Sequence, residues 1–347
     1  MRLGIIARSD NTGLGNQTRE LVNMLNPDKI LLVDSTFFNG NEQNPGWYSS
    51  FDVMKTRQGM PRKSEMKLFL SQVDIVLSCE TFYSPIFVDL AKAFNVKTIL
   101  QYNYELFGNL SNPDWSLPDV LLSPSYWNIE NVKERFGHRT SVIYLPPPTD
   151  LKTFEKVREN NINKTHKRIL HITGKKAAKD RNGTNTILEM SRYVKGDYEI
   201  IIKSQGALEQ KEVAPKVTVD INNPKNREDL YDGFDAMVLP RRYAGLCLPM
   251  NESLISALPV FMTDISPNNQ VLPSRWLAPS HKELVLNAKT KINVYGADPK
   301  RLARLLDEYM ALSNNEKTIE KKNAFNLGSK MFSPDLLKEQ YLQIINS

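Results

Sequence analysis

The sequence predicts an α/β protein built of two Rossmann-like, doubly wound domains that face a central cleft. Short apolar runs typical of buried strands alternate with helical stretches from the first residue onward, which indicates parallel sheets covered by helices on both faces. This alternation restarts after a proline-rich segment near the middle of the chain. A length of 347 residues, with 41% apolar and 24% charged positions, suits two globular domains.

Six strands are predicted in the first half and five in the second. Those of the first half are Leu3–Ala7, Ile30–Val33, Val73–Ser78, Val96–Gln101, Val120–Ser123 and Ser141–Tyr144. Those of the second half are Arg168–Thr173, Tyr198–Lys203, Val217–Ile221, Ala236–Leu239 and Val260–Thr263. Helices are predicted from about Thr18 to Asn26 and near Pro85–Phe94, Pro299–Leu312 and Lys330–Ser347.

The domain boundary is predicted at three consecutive prolines, Pro146–Pro148. Proline fixes its own φ and restrains the residue before it, so this segment is stiff and extended. We therefore expect an N-terminal domain over residues 1–148 and a C-terminal domain over 149–329. The last segment, 330–347, is expected to form a helix that packs back on the N-terminal domain.

Composition argues for a soluble cytoplasmic protein without a metal site. No apolar run approaches the ~18 residues that span a bilayer. The apolar run at the N-terminus is too short, and too soon interrupted by Asp10 and Asn11, to be the apolar region of a secretory signal. The two cysteines, Cys79 and Cys247, provide no disulfide framework. The four histidines show no metal-ligand spacing. The net charge of +6 is mild and resides in the second half of the chain; this basic half suits an anionic small ligand as well as a polymer.

A glycine-containing loop, Gly13-Leu14-Gly15, is predicted to join the first strand to the first helix. Glycines let a backbone approach a ligand, and a helix N-terminus offers N–H groups to an anion. A dinucleotide-binding loop is one interpretation, because Asp34 follows at the distance of a ribose-binding acid. However, Thr18 occupies the place of the third glycine, and Gly13 lies some five residues beyond the strand.

The most informative segment runs from residue 236 to residue 264. A strand ends at Pro240, a basic loop with Gly245 follows, and a helix beginning near Leu248 carries Glu252. Such a segment presents backbone N–H groups and a carboxylate at the carboxyl edge of the sheet, where α/β proteins bind ligands. A carboxylate can bind a ribose diol, and neighbouring arginines can bind phosphates.

This segment resembles the donor-binding element of GT-B glycosyltransferases of family four, roughly Glu-Gly-Phe-Gly-Leu-Pro-x-x-Glu-Ala followed by Gly-x-Pro-Val. Gly245, Leu248, Pro249 and Glu252 match it, as does Pro259-Val260 after the helix. The resemblance implies that Glu252 holds the nucleotide ribose. It also implies that the loop lies beside the donor sugar; this loop comprises Arg241, Tyr243, Ala244, Gly245 and Leu246. Ala244 stands in place of the family's first glutamate.

Two further stretches add to the resemblance. Gly174-Lys175 and Arg181 resemble the family's Gly-Arg…Lys-Gly element, whose cations bind the donor diphosphate, with Arg and Lys exchanged. Gly13-Leu14-Gly15 is similar to the glycine-rich loop that closes over the donor from the other side. The resemblance thus spans both halves of the chain.

The chemistry that the resemblance implies is a metal-independent transfer with retention at the anomeric carbon and no further cofactor. No Asp-x-Asp occurs in the chain, so fixed cations and helix dipoles must stabilise the leaving diphosphate. Lys175, Arg181 and either Arg241 or Arg242 are the candidates. Glu80 and Glu105, each following a predicted strand, are the candidate catalytic residues that position the acceptor hydroxyl.

The acceptor is predicted to contact the N-terminal domain, where one stretch is basic. Lys55, Arg57, Arg62 and Lys63 read as part of a mobile basic loop, which suits nucleic-acid phosphates, anionic lipid headgroups or plain solvation. Nearby aromatic side chains, Trp47, Tyr48 and Phe51, suit stacking on a sugar or a base. A hydroxylated base in phage DNA, a glycan and a lipid therefore all remain open as acceptors.

Taken together, the sequence predicts a retaining hexosyltransferase that uses a nucleotide sugar, with UDP-glucose as the model donor. Two alternatives come from other classes. A catalytically silent GT-B-like protein that binds a nucleotide sugar or nucleic acid is favoured by Ala244. An NAD(P)-dependent oxidoreductase is disfavoured by the five or so residues between the first strand and Gly13, and by Thr18 at the place of the third glycine.

Overall fold

A computed structural model describes residues 1–37, 42–44, 46–106, 108, 115–174, 180–205, 215–222, 224–243, 245–287 and 290–347. The chain divides into two compact units. The first unit comprises Met1–Pro148 and Pro334–Ser347, and the second unit comprises Thr149–Ser333. Each unit has its own buried apolar core.

A seven-stranded parallel sheet forms the centre of the first unit, with the strand order β3-β2-β1-β4-β5-β6-β7. Its strands are β1 Leu3–Ala7, β2 Lys29–Leu32, β3 Val53–Lys55, β4 Ile75–Cys79, β5 Lys97–Gln101, β6 Val120–Ser123 and β7 Ser141–Tyr144. Its helices include α1 Gly13–Leu25, α2 Lys63–Leu70, α3 Phe87–Ala93 and α4 Ile129–Phe136. The strands β1, β4 and β6 are buried along their whole length, as expected for a sheet covered on both faces.

A six-stranded parallel sheet with the order β10-β9-β8-β11-β12-β13 forms the centre of the second unit. Its strands are β8 Arg168–Gly174, β9 Glu199–Ser204, β10 Val217–Asp220, β11 Ala236–Leu239, β12 Val260–Thr263 and β13 Leu277–Ala278. Its helices are α5 Glu155–Asn163, α6 Thr184–Met190, α7 Leu248–Ile255, α8 Asn268–Val271, α9 Pro299–Met310 and α10 Asn314–Phe332. The prediction of two parallel-sheet α/β domains is confirmed.

An antiparallel hairpin, β14 Ser280–Asn287 with β15 Lys291–Ala297, was not predicted. Its first strand exposes most of its residues, so it lacks the apolar run by which buried strands are recognised. The short edge strand β3 and the helix α2 were not predicted either.

The last helix, α11 Pro334–Asn346, belongs to the first unit. Leu337, Tyr341 and Ile345 repeat at helical spacing and are buried in its core. The Tyr341 hydroxyl accepts a hydrogen bond from Gln101 Nε2 (2.7 Å) and donates one to the Pro146 carbonyl (3.0 Å). The expected start of this segment at residue 330 falls inside α10, which continues to Phe332. Pro334 sets the actual break, because proline cannot continue a preceding helix.

The first helix also begins earlier than expected, at Gly13 rather than near Thr18. Thr12 explains the difference, since its hydroxyl accepts from the Gly15 amide (3.2 Å) and caps the helix. No helix in the described ranges combines the length and apolar character needed to cross a membrane.

Candidate functional site

In each sheet the strand order reverses at one point, between β1 and β4 in the first unit and between β8 and β11 in the second. Loops at the carboxyl ends of such strand pairs form the crevice in which open α/β sheets bind ligands. Residues predicted from sequence follow all four strands: Gly13, Leu14, Gly15 and Glu80 in the first unit, and Arg181, Arg241, Tyr243, Gly245 and Leu246 in the second. Lys175 and Ala244 lie outside the described residues.

The amino end of α1 is a tightly packed turn. A Cβ added at Gly15 would lie 1.9 Å from the Asp10 carbonyl oxygen, so only glycine fits there. The buried Asp10 carboxylate pairs with Arg8 and accepts from the Thr12 hydroxyl (2.6 Å). Gly13 and Leu14 lie in the first helical turn, where Gly13 is exposed. The turn therefore presents a fixed helix N-terminus at the switch point of the first unit.

The dinucleotide interpretation fits these contacts poorly. Thr18, at the place of the third glycine, is buried, and its hydroxyl accepts from the Arg8 amide (3.3 Å). Asp34, at the place of a ribose-binding acid, accepts from the Thr36 amide (3.0 Å) and from Gln43 Nε2 (2.9 Å). A dinucleotide-binding protein needs a glycine at the first position for close helix packing and an available carboxylate at the second. Here Thr18 and Asp34 instead form hydrogen bonds that hold the local structure.

Glu80 lies in a pocket at the carboxyl ends of β4 and β5. Its φ of +63° is left-handed, a strained conformation for a residue other than glycine and one that clusters at functional sites. Its carboxylate accepts from Asn103 Nδ2 (2.5 Å). Phe82, Tyr102 and Trp115 are among the lining side chains, and the volume of ≈ 20 Å³ admits one hydroxyl-sized group.

Glu105, the other candidate catalytic carboxylate, lies in a 3₁₀ turn, Tyr104–Leu106, and is not among the residues that line this pocket. The structure therefore associates Glu80 with Asn103 and does not bring Glu105 to the same pocket. Asn103 was missed as a site residue, although it lies two residues after the end of β5, close to the position that Glu80 has after β4.

The basic stretch of the first unit spans the end of a strand, a loop over residues 56–62 and the start of a helix, so the expected loop covers only its middle part. Lys55 ends β3, and Lys63 begins α2. Between them, Arg57 and Arg62 donate their backbone amides to the two carboxylate oxygens of Glu65, at 3.0 and 2.8 Å. The four predicted acceptor-binding cations are all exposed.

In the second unit, the loop after β8 is fixed by a cap and by a close backbone approach. Asp180 accepts from the amides of Thr184 (2.7 Å) and Asn185 (2.9 Å) at the start of α6. Gly183 has a φ of +72°, and a Cβ there would lie 2.3 Å from the Pro240 carbonyl oxygen. This glycine lets the loop after β8 touch the loop after β11. The Arg181 guanidinium lies over the Tyr243 ring, 5.5 Å from its centroid.

The two arginines of the loop after β11 are both engaged within the second unit. Arg241 is buried and donates to the carbonyls of Tyr243 (3.2 Å) and Leu246 (2.8 Å). Arg242 pairs with Glu283 of the hairpin. Sequence predicts a phosphate contact for one of them, but the structure uses Arg241 to hold the loop that contains Gly245.

The hairpin supports this loop through its backbone as well. The Tyr295 amide donates to the Arg242 carbonyl (3.0 Å), and the Arg242 amide donates to the Arg181 carbonyl (2.9 Å). Gly296 leaves room for the Glu283 carboxylate, because a Cβ there would lie 2.0 Å from Glu283 Oε1. Three chain segments thus fix the loop at the switch point of the second unit.

Glu252 is buried on α7, which begins at Leu248 as predicted. One carboxylate oxygen lies 2.7 Å from Arg227 Nη2, and the other accepts from the Tyr231 hydroxyl (2.5 Å). Burial and the adjacent carboxylate raise the pKa of Tyr231 well above its usual range, so the phenol stays protonated and donates. Each carboxylate oxygen retains a further lone pair for a ligand hydroxyl.

Arg227 and Tyr231 are site residues that sequence reasoning missed. Tyr231 ends a short turn before β11, Glu228–Tyr231, and Arg227 is the residue that precedes this turn. The sequence of this segment has no periodicity that would indicate their partner. Within the described part of the chain, no group of three or more His, Cys, Asp or Glu side chains could hold a metal ion.

His171, in the middle of β8, is a structural residue. Nδ1 lies 2.9 Å from the Val238 carbonyl and Nε2 lies 3.0 Å from the Thr184 hydroxyl. Burial lowers the pKa of His171 to about 4. The neutral imidazole therefore donates to Val238 and accepts from Thr184, joining β8 to β11 and α6.

Acidification is expected to destabilise the second unit through His171. An unfolded imidazole, with a pKa of 6.5, takes up a proton that the folded one does not. The stabilisation is complete above pH 6.5 and is lost as the pH falls toward 4, by about 3 kcal/mol. The unfolding free energy is measured in urea at pH 7 and at pH 4. His171→Asn should lack this loss between the two pH values, whereas His138→Asn, which replaces an exposed histidine, should keep it. Equal losses in the two variants would contradict the assignment.

Comparison with known proteins identifies the fold. No family model matches the chain, and no curated protein matches it. Sucrose-phosphate synthase from Thermosynechococcus elongatus superposes with a TM-score of 0.67 and 13% identity, over 99% of this chain and 98% of that one. HepE from Anabaena, in complex with UDP-glucose, superposes with a TM-score of 0.67 and 9% identity, over 100% and 99%. At these identities the likeness is one of fold. The chain has the GT-B fold of glycosyltransferases.

Proposed function

We propose that the protein is a glycosyltransferase that moves a sugar from a nucleotide-sugar donor, a UDP-sugar, to an acceptor hydroxyl. The observation that carries the proposal is the pair of fixed loops after β8 and β11 at the switch point of the second unit, where Arg181 lies over the Tyr243 ring. The second loop, with Gly245 and Leu246, leads into α7, which bears the Glu252 cluster. The fold supports it, since the solved structure of HepE with the same fold contains UDP-glucose.

Each group has a proposed role in donor binding. Glu252, with Arg227 and Tyr231 fixing its two oxygens, receives the ribose diol through its remaining lone pairs. Arg181, together with Lys175, binds the diphosphate and stabilises the charge that develops on it as the sugar departs. In the first unit, the amino end of α1, capped by Thr12, offers free backbone N–H groups to an anionic group of a ligand.

The proposed transfer retains the configuration of the anomeric carbon, as the family-four resemblance implies. The bond from the anomeric carbon to the diphosphate oxygen breaks, and the acceptor oxygen bonds to that carbon on the same face. The acceptor proton passes to an oxygen of the leaving diphosphate. Glu80, held by Asn103, positions the acceptor hydroxyl in its pocket. The nucleotide sugar is a co-substrate, and the proposal requires neither a metal nor a further cofactor.

The decisive experiment follows nucleotide release from UDP-, GDP- and ADP-sugars, with and without hydroxymethylated duplex DNA, and with EDTA present. EDTA-resistant release from a UDP-sugar is expected. Release that rises with the DNA would identify a hydroxylated base as acceptor, and DNA-independent release would favour a glycan or a lipid. Binding without release from any donor would contradict the proposal and support a silent nucleotide-sugar binder marked by Ala244. A thermal shift with NAD(P) alone would instead support an oxidoreductase.

A further inference from the structure

Five cations project from the carboxyl end of β3 and the first turns of α2. We call Lys55, Arg57, Arg62, Lys63 and Lys67 the cationic surface; all five are exposed. Among the described residues, no acidic side chain forms an ion pair with any of them. The one carboxylate in this stretch, Glu65, directs both oxygens to backbone amides of the loop. The cationic surface therefore presents its charge to solvent.

The loop that carries these cations is fixed on the sheet. The Thr56 amide donates to the Leu32 carbonyl (3.0 Å), and its hydroxyl accepts from the Asp34 amide (3.1 Å) and donates to the Gln58 carbonyl (2.6 Å). With Glu65 closing the other side, the loop is held at both ends. Cations fixed before binding lose less conformational entropy when they meet an anionic partner.

The strand order sets the distance between the cationic surface and the Glu80 pocket. Both lie at the carboxyl edge of the same parallel sheet, and β3 is three strands from β4 and four from β5. At about 4.8 Å per strand the separation is roughly 14–19 Å. Along a nucleic-acid duplex this corresponds to about four to six base pairs. A small acceptor in the pocket does not reach the cationic surface, whereas a polymer with regularly spaced phosphates reaches both.

We propose that the cationic surface is an exosite for the phosphate backbone of a nucleic acid whose hydroxyl-bearing group enters the Glu80 pocket; this rests on the proposed function for the identity of the pocket as the acceptor site. The apolar side chains of the element argue against membrane insertion. Met66, Phe69 and Leu70 of α2 face the core, and the exposed Met60 and Leu68 stand apart from one another in sequence. An interfacial helix needs a continuous apolar face, which α2 does not offer to solvent.

The test measures binding of a fluorescent, unmodified 20-base-pair DNA duplex to the full chain by anisotropy, from 50 to 200 mM salt. The exosite variant is R57Q/R62Q/K63Q. The matched control is K133Q/R135Q/R139Q, which removes the same charge near the carboxyl end of α4. There the chain leads into the amino end of β7, so the control lies at the opposite edge of the sheet from the cationic surface. We expect the exosite variant to bind at least tenfold more weakly at 100 mM salt, and its slope of log affinity against log salt to fall by about 2–3. The control should stay within about twofold of the wild type.

Equal duplex affinity in the two variants would overturn the exosite. Preferential binding of the wild type to vesicles with anionic phospholipid, lost with R57Q/R62Q/K63Q and without duplex binding, would also overturn it in favour of a lipid surface. UDP-sugar binding is measured on the same preparations. A wild type that binds duplex through the cationic surface but binds no nucleotide sugar would refute the proposed function and leave the exosite standing.

Discussion

Replacing Lys321 by methionine is expected to lower the unfolding free energy of the second unit by about 3–5 kcal/mol. Lys321 projects from α10 with 1% of its side chain exposed, and its ammonium lies 2.7 Å from Asp235 Oδ1. The same ammonium donates to the carbonyls of Asn161 (2.8 Å) and Lys164 (2.9 Å). Methionine would leave a buried carboxylate without its counterion and two carbonyls without their donor.

Asp235 connects this lysine to the sheet. Its second oxygen accepts from the amides of His166 (3.0 Å) and Lys167 (2.6 Å), just before β8. Burial lowers the pKa of Lys321, and the Asp235 carboxylate opposes that shift. The pair thus joins α10, the end of α5 and the start of the sheet, so its loss should loosen the unit as a whole rather than one helix end.

Hydrogen exchange in urea resolves this effect by unit. Peptides from β8 and β11 should exchange roughly 10²- to 10⁴-fold faster in Lys321→Met, as 3–5 kcal/mol implies, while peptides from β1 and β4 serve as the internal reference. Lys322→Met is the matched control, because it removes an exposed lysine from the same helix and should change stability by no more than about 0.5 kcal/mol. If the two variants exchange alike, Lys321 has no special role in stability.

The sequence was a good guide wherever burial alone decides the structure. The strands β1, β6, β11 and β12 have the predicted bounds and are buried along their whole length, because a strand covered on both faces is largely apolar and so leaves a continuous local signal. The edge strand β7 also has its predicted bounds, although none of its residues is buried. The start of α7 was equally predictable, since Pro249 fits the first turn of a helix and is disfavoured further inside it.

Pairings between distant side chains were beyond sequence reasoning. A lysine in a helix such as α10 reads as solvated, and only the fold shows that Lys321 meets Asp235, 86 positions away. In the same way, the loop sequence does not show that Arg241 turns inward to its own carbonyls or that Glu252 meets Arg227 and Tyr231. Such contacts depend on which loops the topology brings together and leave no periodic signal.

Replacing Arg181 by methionine is expected to lower kcat of sugar transfer by about 10²- to 10³-fold. This is the typical effect of removing one fixed donor from a developing negative charge, about 2.7–4 kcal/mol. The proposed charge develops on the leaving diphosphate, so kcat should fall more than KM rises. Methionine keeps an unbranched stem beside Tyr243, and Arg181 is only partly buried, so the melting temperature should move little.

Steady-state kinetics with the preferred UDP-sugar would measure this effect. Arg192→Met is the matched control, since it removes an exposed arginine that follows α6 in the same unit. Arg181→Lys keeps the charge but loses the planar, two-pronged donor geometry, so an intermediate kcat is expected. Turnover by Arg181→Met that equals that of Arg192→Met would show that the diphosphate is stabilised elsewhere.

Arg241 and Arg242 provide the comparison that separates a catalytic role for Arg181 from general loop order. Arg241→Met removes the donors to the Tyr243 and Leu246 carbonyls, so it should lower stability and weaken donor binding together. Glu283→Gln weakens the ion pair of Arg242 and should change donor affinity more than kcat. Among Arg181, Arg241, Arg242 and Glu283, the proposed function assigns only Arg181 to the departing diphosphate. A large fall in kcat at unchanged melting temperature is therefore expected only when Arg181 is replaced.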